Sequence, residues 1–133
     1  MSTTIVTQDS AKYEYEAYDS ALAATDQTVD ASGSARYIFQ VEVDNTANTS
    51  TAAYVKVYNS VTSSVTVGTT APDSIFFAPA GAKICYTITE GIKMGGSGST
   101  GIVWACVTSA GTAGTSAPSS SVIARMVYGE SSS

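Results

Sequence analysis

Twenty serines and eighteen threonines in 133 residues make hydroxyl-based group transfer the first chemistry to consider. A serine hydroxyl becomes a nucleophile only when a base takes its proton. The chain has no histidine, so no Ser-His-Asp triad and no Cys-His pair can form. No Ser-x-x-Lys motif supplies a lysine base instead. Carboxylates are the next candidates. Glu14 and Glu16 would share one strand face and could act as an acid/base pair, but a solvated strand edge is the plainer reading. Asp9, Asp19, Asp26 and Asp30 are spaced irregularly and match no calcium loop. Asp44 with Asn45 and Asn48 either caps a turn or holds an ion, and the capped turn is the simpler case. Without histidine, and with no cluster at ligand spacing, no metal site is expected. The glycine-rich stretch 95–101 lacks the lysine of a phosphate loop. Catalytic residues and cofactors are therefore both expected to be none, and the chain is read as a non-enzyme.

The two cysteines, Cys85 and Cys106, are too few for a disulfide framework. Two buried thiols are the plain expectation. A hairpin turning at 95–100, with partner numbers summing to 191, would instead set Cys85 opposite Cys106. The net charge is −5, with only four lysines and two arginines, so no basic patch for nucleic acid can be assembled. No apolar run approaches the ~20 residues that span a bilayer, so no membrane partner is expected. The start, Met1 to Val6, lacks the basic and apolar regions of a signal peptide, so synthesis in the cytoplasm is expected. Asn48-Thr49-Ser50 matches a glycosylation acceptor, which without a secretory signal reads as chance.

The elements that would position any site read as strands. There is one leucine, Leu22, and valine, isoleucine, threonine and tyrosine take its place. Ala35 to Asp44 alternates, with Tyr37, Phe39, Val41 and Val43 on one face. Ala53 to Asn59 places Val55 and Val57 on one face and Tyr54, Lys56 and Tyr58 on the other. Ser74 to Ala78, Lys83 to Thr89, Ile102 to Thr108 and Val122 to Tyr128 follow as strands. Segments 91–101 and 109–121 read as Gly/Ser-rich loops. No long amphipathic helix is available to cross between parallel strands.

The expectation is an all-β, antiparallel β-sandwich, jelly-roll- or Ig-like, with about six to eight strands. Three parts are delimited: an extended N-terminal arm at 1–33 holding one strand, the sandwich at 34–129, and a polar tail at 130–133. Gly68 to Ser74 recurs in outline as Gly114 to Ser120, as if at two equivalent corners of one sandwich or as a loop pair that meets a partner. The eight tyrosines suggest an interface, because tyrosine joins large contact area to a polar handle. Ile5, Val6, Tyr13, Tyr15 and Tyr18 in the arm, with Tyr54 and Tyr58, are the candidate interface residues. Packing of the arm on its own sandwich is the competing account.

Several stretches together carry a resemblance: Asp44-Asn45-Thr46-Ala47-Asn48, Ala53-Tyr54-Val55-Lys56-Val57-Tyr58-Asn59, Val65 to Pro72, Pro79-Ala80-Gly81, Gly111 to Pro118, and Val127-Tyr128. Over about residues 35–128 the chain resembles small β-rich virion proteins of tailed bacteriophages, cyanophages especially. The motifs are turn and strand signatures, and residues 1–34 lie outside the match. The resemblance implies a capsid decoration (cement) protein on the virion surface. Its partners would be the major capsid protein and further copies of itself, with a trimer expected at three-fold positions. The arm and the sandwich edges would bridge neighbouring capsid subunits. The acidic charge suits the outside of a shell filled with DNA. The other role the resemblance allows is a tail- or fibre-associated module that binds a host receptor or glycan. There, loops 91–101 and 109–121 with Trp104 would make the contact.

Overall fold

The computed structural model describes residues 3–7, 14–97 and 100–130. Nine strands appear among them: β1 Thr4–Thr7, β2 Tyr15–Leu22, β3 Gln27–Asp30, β4 Arg36–Asp44, β5 Ala53–Tyr58, β6 Ser74–Ala78, β7 Lys83–Met94, β8 Ile102–Val107 and β9 Val122–Gly129. They form two antiparallel sheets, β1-β2-β9-β4-β7 and β3-β8-β5-β6. The pairs β2/β3, β4/β5, β6/β7 and β8/β9 each step from one sheet to the other. That interleaving of 2-9-4-7 with 3-8-5-6 is the eight-stranded jelly roll, with β1 added outside β2.

The core lies between the sheets. Val122, Ala124, Met126 and Tyr128 of β9 face Val55 and Val57 of β5 and Trp104 and Cys106 of β8. Alternation of β-branched and polar residues dictates these faces. Every residue of β8 is buried, because its outer face is covered as well.

Three expectations change. Within 1–33, expected to be an arm holding one strand, the described residues hold three strands, β1, β2 and β3. Strand β2 pairs with β9, and β3 pairs with β8, so both sheets need this segment. Residues 91–94, expected in a loop, continue strand β7 past Gly91. Gly91 has φ +78, and a Cβ there would sit 2.9 Å from Phe39 Cε1, so only glycine lets the strand pass. Within β4 the register slips between Ile38 and Gln40, a bulge that reverses the phase of the alternation. Arg36 and Ile38 are buried as a result, and Tyr37 does not share the face of Val41 and Val43.

Four connections gather at one end of a jelly roll: here 23–26, 45–52, 79–82 and 108–121. Two buried asparagines stitch three of them. Asn45 Nδ2 donates to Thr51 O (2.9 Å) and Pro79 O (3.1 Å). Asn48 Nδ2 donates to Asn45 Oδ1 (2.8 Å) and Ser120 O (3.0 Å), and its Oδ1 accepts Ser120 N–H (2.8 Å). Asp44 Oδ1 accepts the backbone and hydroxyl of Thr46, which holds its carboxyl below the usual range. These residues build a capped turn, as the simpler reading had it.

Candidate functional site

The seven candidate interface residues separate sharply. Tyr13 lies outside the described residues. Tyr58 is corrected: it is fully buried beneath the 61–67 segment, packed with Val65 and Val103, and has no area to offer a partner. Burial, with the negative charge of Asp26 beside it, raises its pKa above the ordinary 10.0 and so disfavours its ionisation. Tyr15 is turned inward, stacked on Tyr128 at 5.1 Å, with its hydroxyl donating to Glu130 Oε2 at 3.1 Å. The Arg36 guanidinium sits 5.2 Å over the Tyr15 ring and forms a 2.8 Å ion pair with Asp30. Tyr18 lies on the outer face of the five-stranded sheet under Arg125, 4.5 Å from its centroid. So of the candidate arm tyrosines described, both pack on the protein's own sandwich.

Of the remaining three, Ile5 and Val6 lie on an outermost strand, and Tyr54 lies on β5, next to the outermost strand β6. Ile5 and Val6 on β1 are 40 and 47% exposed. Tyr54 is half-buried and packs its ring 5.1 Å from Phe77 of β6. Phe77 and Ile75, which the sequence reading did not single out, are 38 and 40% exposed. These four are the exposed large hydrophobic residues among the described residues, and all belong to outermost strands. The signal for Ile75 and Phe77 was available in the run Ser74-Ile75-Phe76-Phe77-Ala78. Its Phe76 points into the core, so its neighbours must point out.

Several carboxylates engage cations or hydroxyls, whereas one buried oxygen of Asp26 has no hydrogen-bond partner among the described residues. Across the five-stranded sheet, Arg125 lies 4.0 Å from Glu16 and 3.3 Å from Glu42, and Lys83 lies 3.8 Å from Glu42. Buried Asp19 accepts the Thr3 hydroxyl at 3.1 Å and the Ala21 N–H at 2.9 Å. Among the described residues, no group of three or more cysteine, aspartate or glutamate side chains could hold a metal ion.

Lys56 is the one fully buried cation among the described residues. It projects from the outer face of β5, and its Nζ donates to Gly111 O (2.7 Å) and Gly114 O (3.3 Å). Loop 108–121 is thus drawn down over the four-stranded sheet. The two similar stretches meet there: Gly68, at φ +98, lies so close that a Cβ would be 2.4 Å from Thr115 Cγ2. The echo therefore marks two segments that cover one sheet face together.

Cys85 and Cys106 are free, and they belong to different sheets, so the hairpin that would have set them opposite does not exist. Cys85 is exposed, contrary to the buried expectation, and its Sγ accepts Gln40 Nε2 at 3.0 Å. Burial pushes the Cys106 thiol up to about 12. A maleimide should label Cys85 at once in the native protein and Cys106 only on unfolding, read by mass spectrometry. Two fast labels would disprove the burial.

Alkaline stability follows from the same groups. Cys106 keeps its proton in the fold while the unfolded thiol loses it from 9.0 upward, so its contribution falls between 9.0 and about 12. Tyr58 and Tyr128, both raised by burial, act likewise from 10.0 upward. Lys56, lowered by burial, acts oppositely and adds stability only up to 10.5. Above 10.5 only the losses remain, each roughly 1.4 kcal/mol per pH unit. The urea midpoint should drop steeply above about pH 10.5, and a flat midpoint to about pH 11.5 would contradict this.

A scan against protein-family models, a search of curated proteins and a search of solved structures each gave no match to this chain.

Proposed function

We propose that the protein is a non-enzymatic structural component of a phage virion that decorates and stabilises the outer surface of the capsid. One observation carries the reading: the exposed apolar side chains sit on outermost strands of a closely stitched jelly roll. Apolar groups on an outer strand suit docking against another folded surface. The sequence resemblance to phage virion proteins supports the same reading, and jelly rolls serve in viral capsids by fold-level analogy. Of the arm and the sandwich edges expected to do the bridging, the reading now rests on the edges, since β2 and β3 are sheet members. Contact with the major capsid protein is assigned to the Tyr54–Ile75–Phe77 patch, with the trimer formed by copies bound at three-fold positions of the shell rather than in free solution. Binding the assembled shell but not its free subunits stabilises the shell by linkage.

Co-sedimentation with capsids stripped of the protein tests this. Saturation at hundreds of copies is expected, and Phe77→Asp should weaken binding roughly tenfold or more, as for an aromatic anchor. No binding to shells would overturn the reading in favour of a tail or fibre location. Part of that second reading is already weakened: Trp104 is fully buried and cannot touch a receptor.

A further inference from the structure

Among the described residues the sandwich has four outermost strands, β1 and β7 in one sheet, β3 and β6 in the other. A free edge is a template for a further strand unless something guards it. Strand β7 carries Lys83, Glu90 and Lys93, and its pairing with β4 is broken near Gly91. Strand β3 carries the charged Asp30, with a register shift just before it. Strand β6 runs straight into Pro79, and its Phe77 carbonyl already accepts the Tyr86 hydroxyl at 2.6 Å. Strand β1, Thr4-Ile5-Val6-Thr7, has no charge, no proline and no slip in its register with β2. It is also anchored: the Thr3 hydroxyl next to it accepts Trp104 Nε1 at 3.0 Å and donates to Asp19 at 3.1 Å. An anchored strand loses little freedom on pairing.

We propose that β1 is a strand-addition site whose partner is β1 of a second copy of this chain, paired antiparallel about a two-fold axis. The residue order selects that partner. Thr-Ile-Val-Thr reads the same in character from either end, so a two-fold pairing places Thr4 opposite Thr7 and Ile5 opposite Val6 of the other copy. Thr–Thr and β-branched pairs are favourable across strands. Charge agrees: two chains of net charge −5 repel, and β1 offers a contact that brings no like charges together. The contact is small. Four residues a side fall well short of the ~800 Å² per partner of a stable interface, so the pairing is weak in dilute solution. It becomes effective where copies are concentrated, as on a surface that binds many of them. The inference stands whether or not that surface is a capsid.

The test uses the full chain with Cys85→Ser. Sedimentation velocity from about 10 µM to about 1 mM should show a monomer–dimer equilibrium. Val6→Lys, which sets an ammonium opposite Ile5 twice per dimer, should weaken it roughly tenfold. Unchanged Trp104 fluorescence would show that the variant keeps its fold. Register is tested by mixing Thr4→Cys and Thr7→Cys chains under mild oxidation. The mixed disulfide should dominate over either symmetric one. A monomer at the highest concentration, a dimer indifferent to Val6→Lys, or cross-linking without preference for the mixed pair would each overturn the proposal. The first of these would leave the edge to a strand of a different protein. Shell binding is measured separately through Phe77, so the failure of one reading does not imply failure of the other.

Discussion

Trp104→Ala should remove about 3–5 kcal/mol of stability, much of the ~5–15 kcal/mol that holds a domain together. Trp104 is the largest fully buried side chain and sits in the middle of β8, the strand buried on both faces. Truncation deletes an indole where two sheets and a covering layer leave little room to collapse. It also frees polar groups. The indole N–H bonds the Thr3 hydroxyl, which in turn donates to Asp19, itself 1% exposed. Loss of the ring therefore loosens the end of β1 as well as the core. Trp104→Phe separates the two effects: it keeps most of the apolar area and forfeits the bond, at about 1 kcal/mol. Urea unfolding followed by circular dichroism reads both, with an unchanged slope showing that stability alone has moved. A loss below about 1.5 kcal/mol for the alanine variant would mean that the site refills easily.

How legible this arrangement was depended on what each segment had to advertise. Strand β9 was plain because Val122, Ala124, Met126 and Tyr128 face in, while Arg125 between them faces out. Strand β5 was equally clear on its inner side. Strand β2 hid because its buried residues are Ala17, Asp19 and Leu22, a weak apolar signal, and its partner β9 lies over a hundred residues away. Strand β4 was located correctly, but an extra residue at its bulge shifts the alternation, which a period-two reading cannot foresee. The edge position of Val6 followed from nothing local, because edges exist only once the strand order is known. Alternation correctly set Tyr54, Lys56 and Tyr58 on the outer face. It could not show that two distant loops would fold over that face, and this cover turned an interface candidate, Tyr58, into core.

The same cover makes Lys56 the sharper test of the fold. Lys56→Ala should cost about 2–4 kcal/mol, since it opens a cavity under loop 108–121 and leaves two carbonyls without their donor. Lys56→Met should stay within about 1 kcal/mol of the natural protein at neutral pH. Methionine leaves the same two carbonyls without a donor, but it fills nearly the same volume and removes an ammonium that is buried without a carboxylate ion pair among the described residues. The contrast separates filling from charge, and pH decides between them further. Burial draws the Lys56 ammonium below its ordinary 10.5. At low pH both folded and unfolded chains hold that proton, and the desolvation penalty is carried in full. As pH rises past the folded value, the native chain sheds the proton first, and the natural protein gains stability until the unfolded chain follows at 10.5. The Met variant has no such group. The difference between the two proteins should therefore shift towards natural Lys56 between neutrality and about pH 10.5, and level off above it. Urea midpoints of both proteins across that interval give the result directly. A difference that stays constant with pH would place the Lys56 amine in water, and loop 108–121 would then owe its position to the Gly68–Thr115 contact instead.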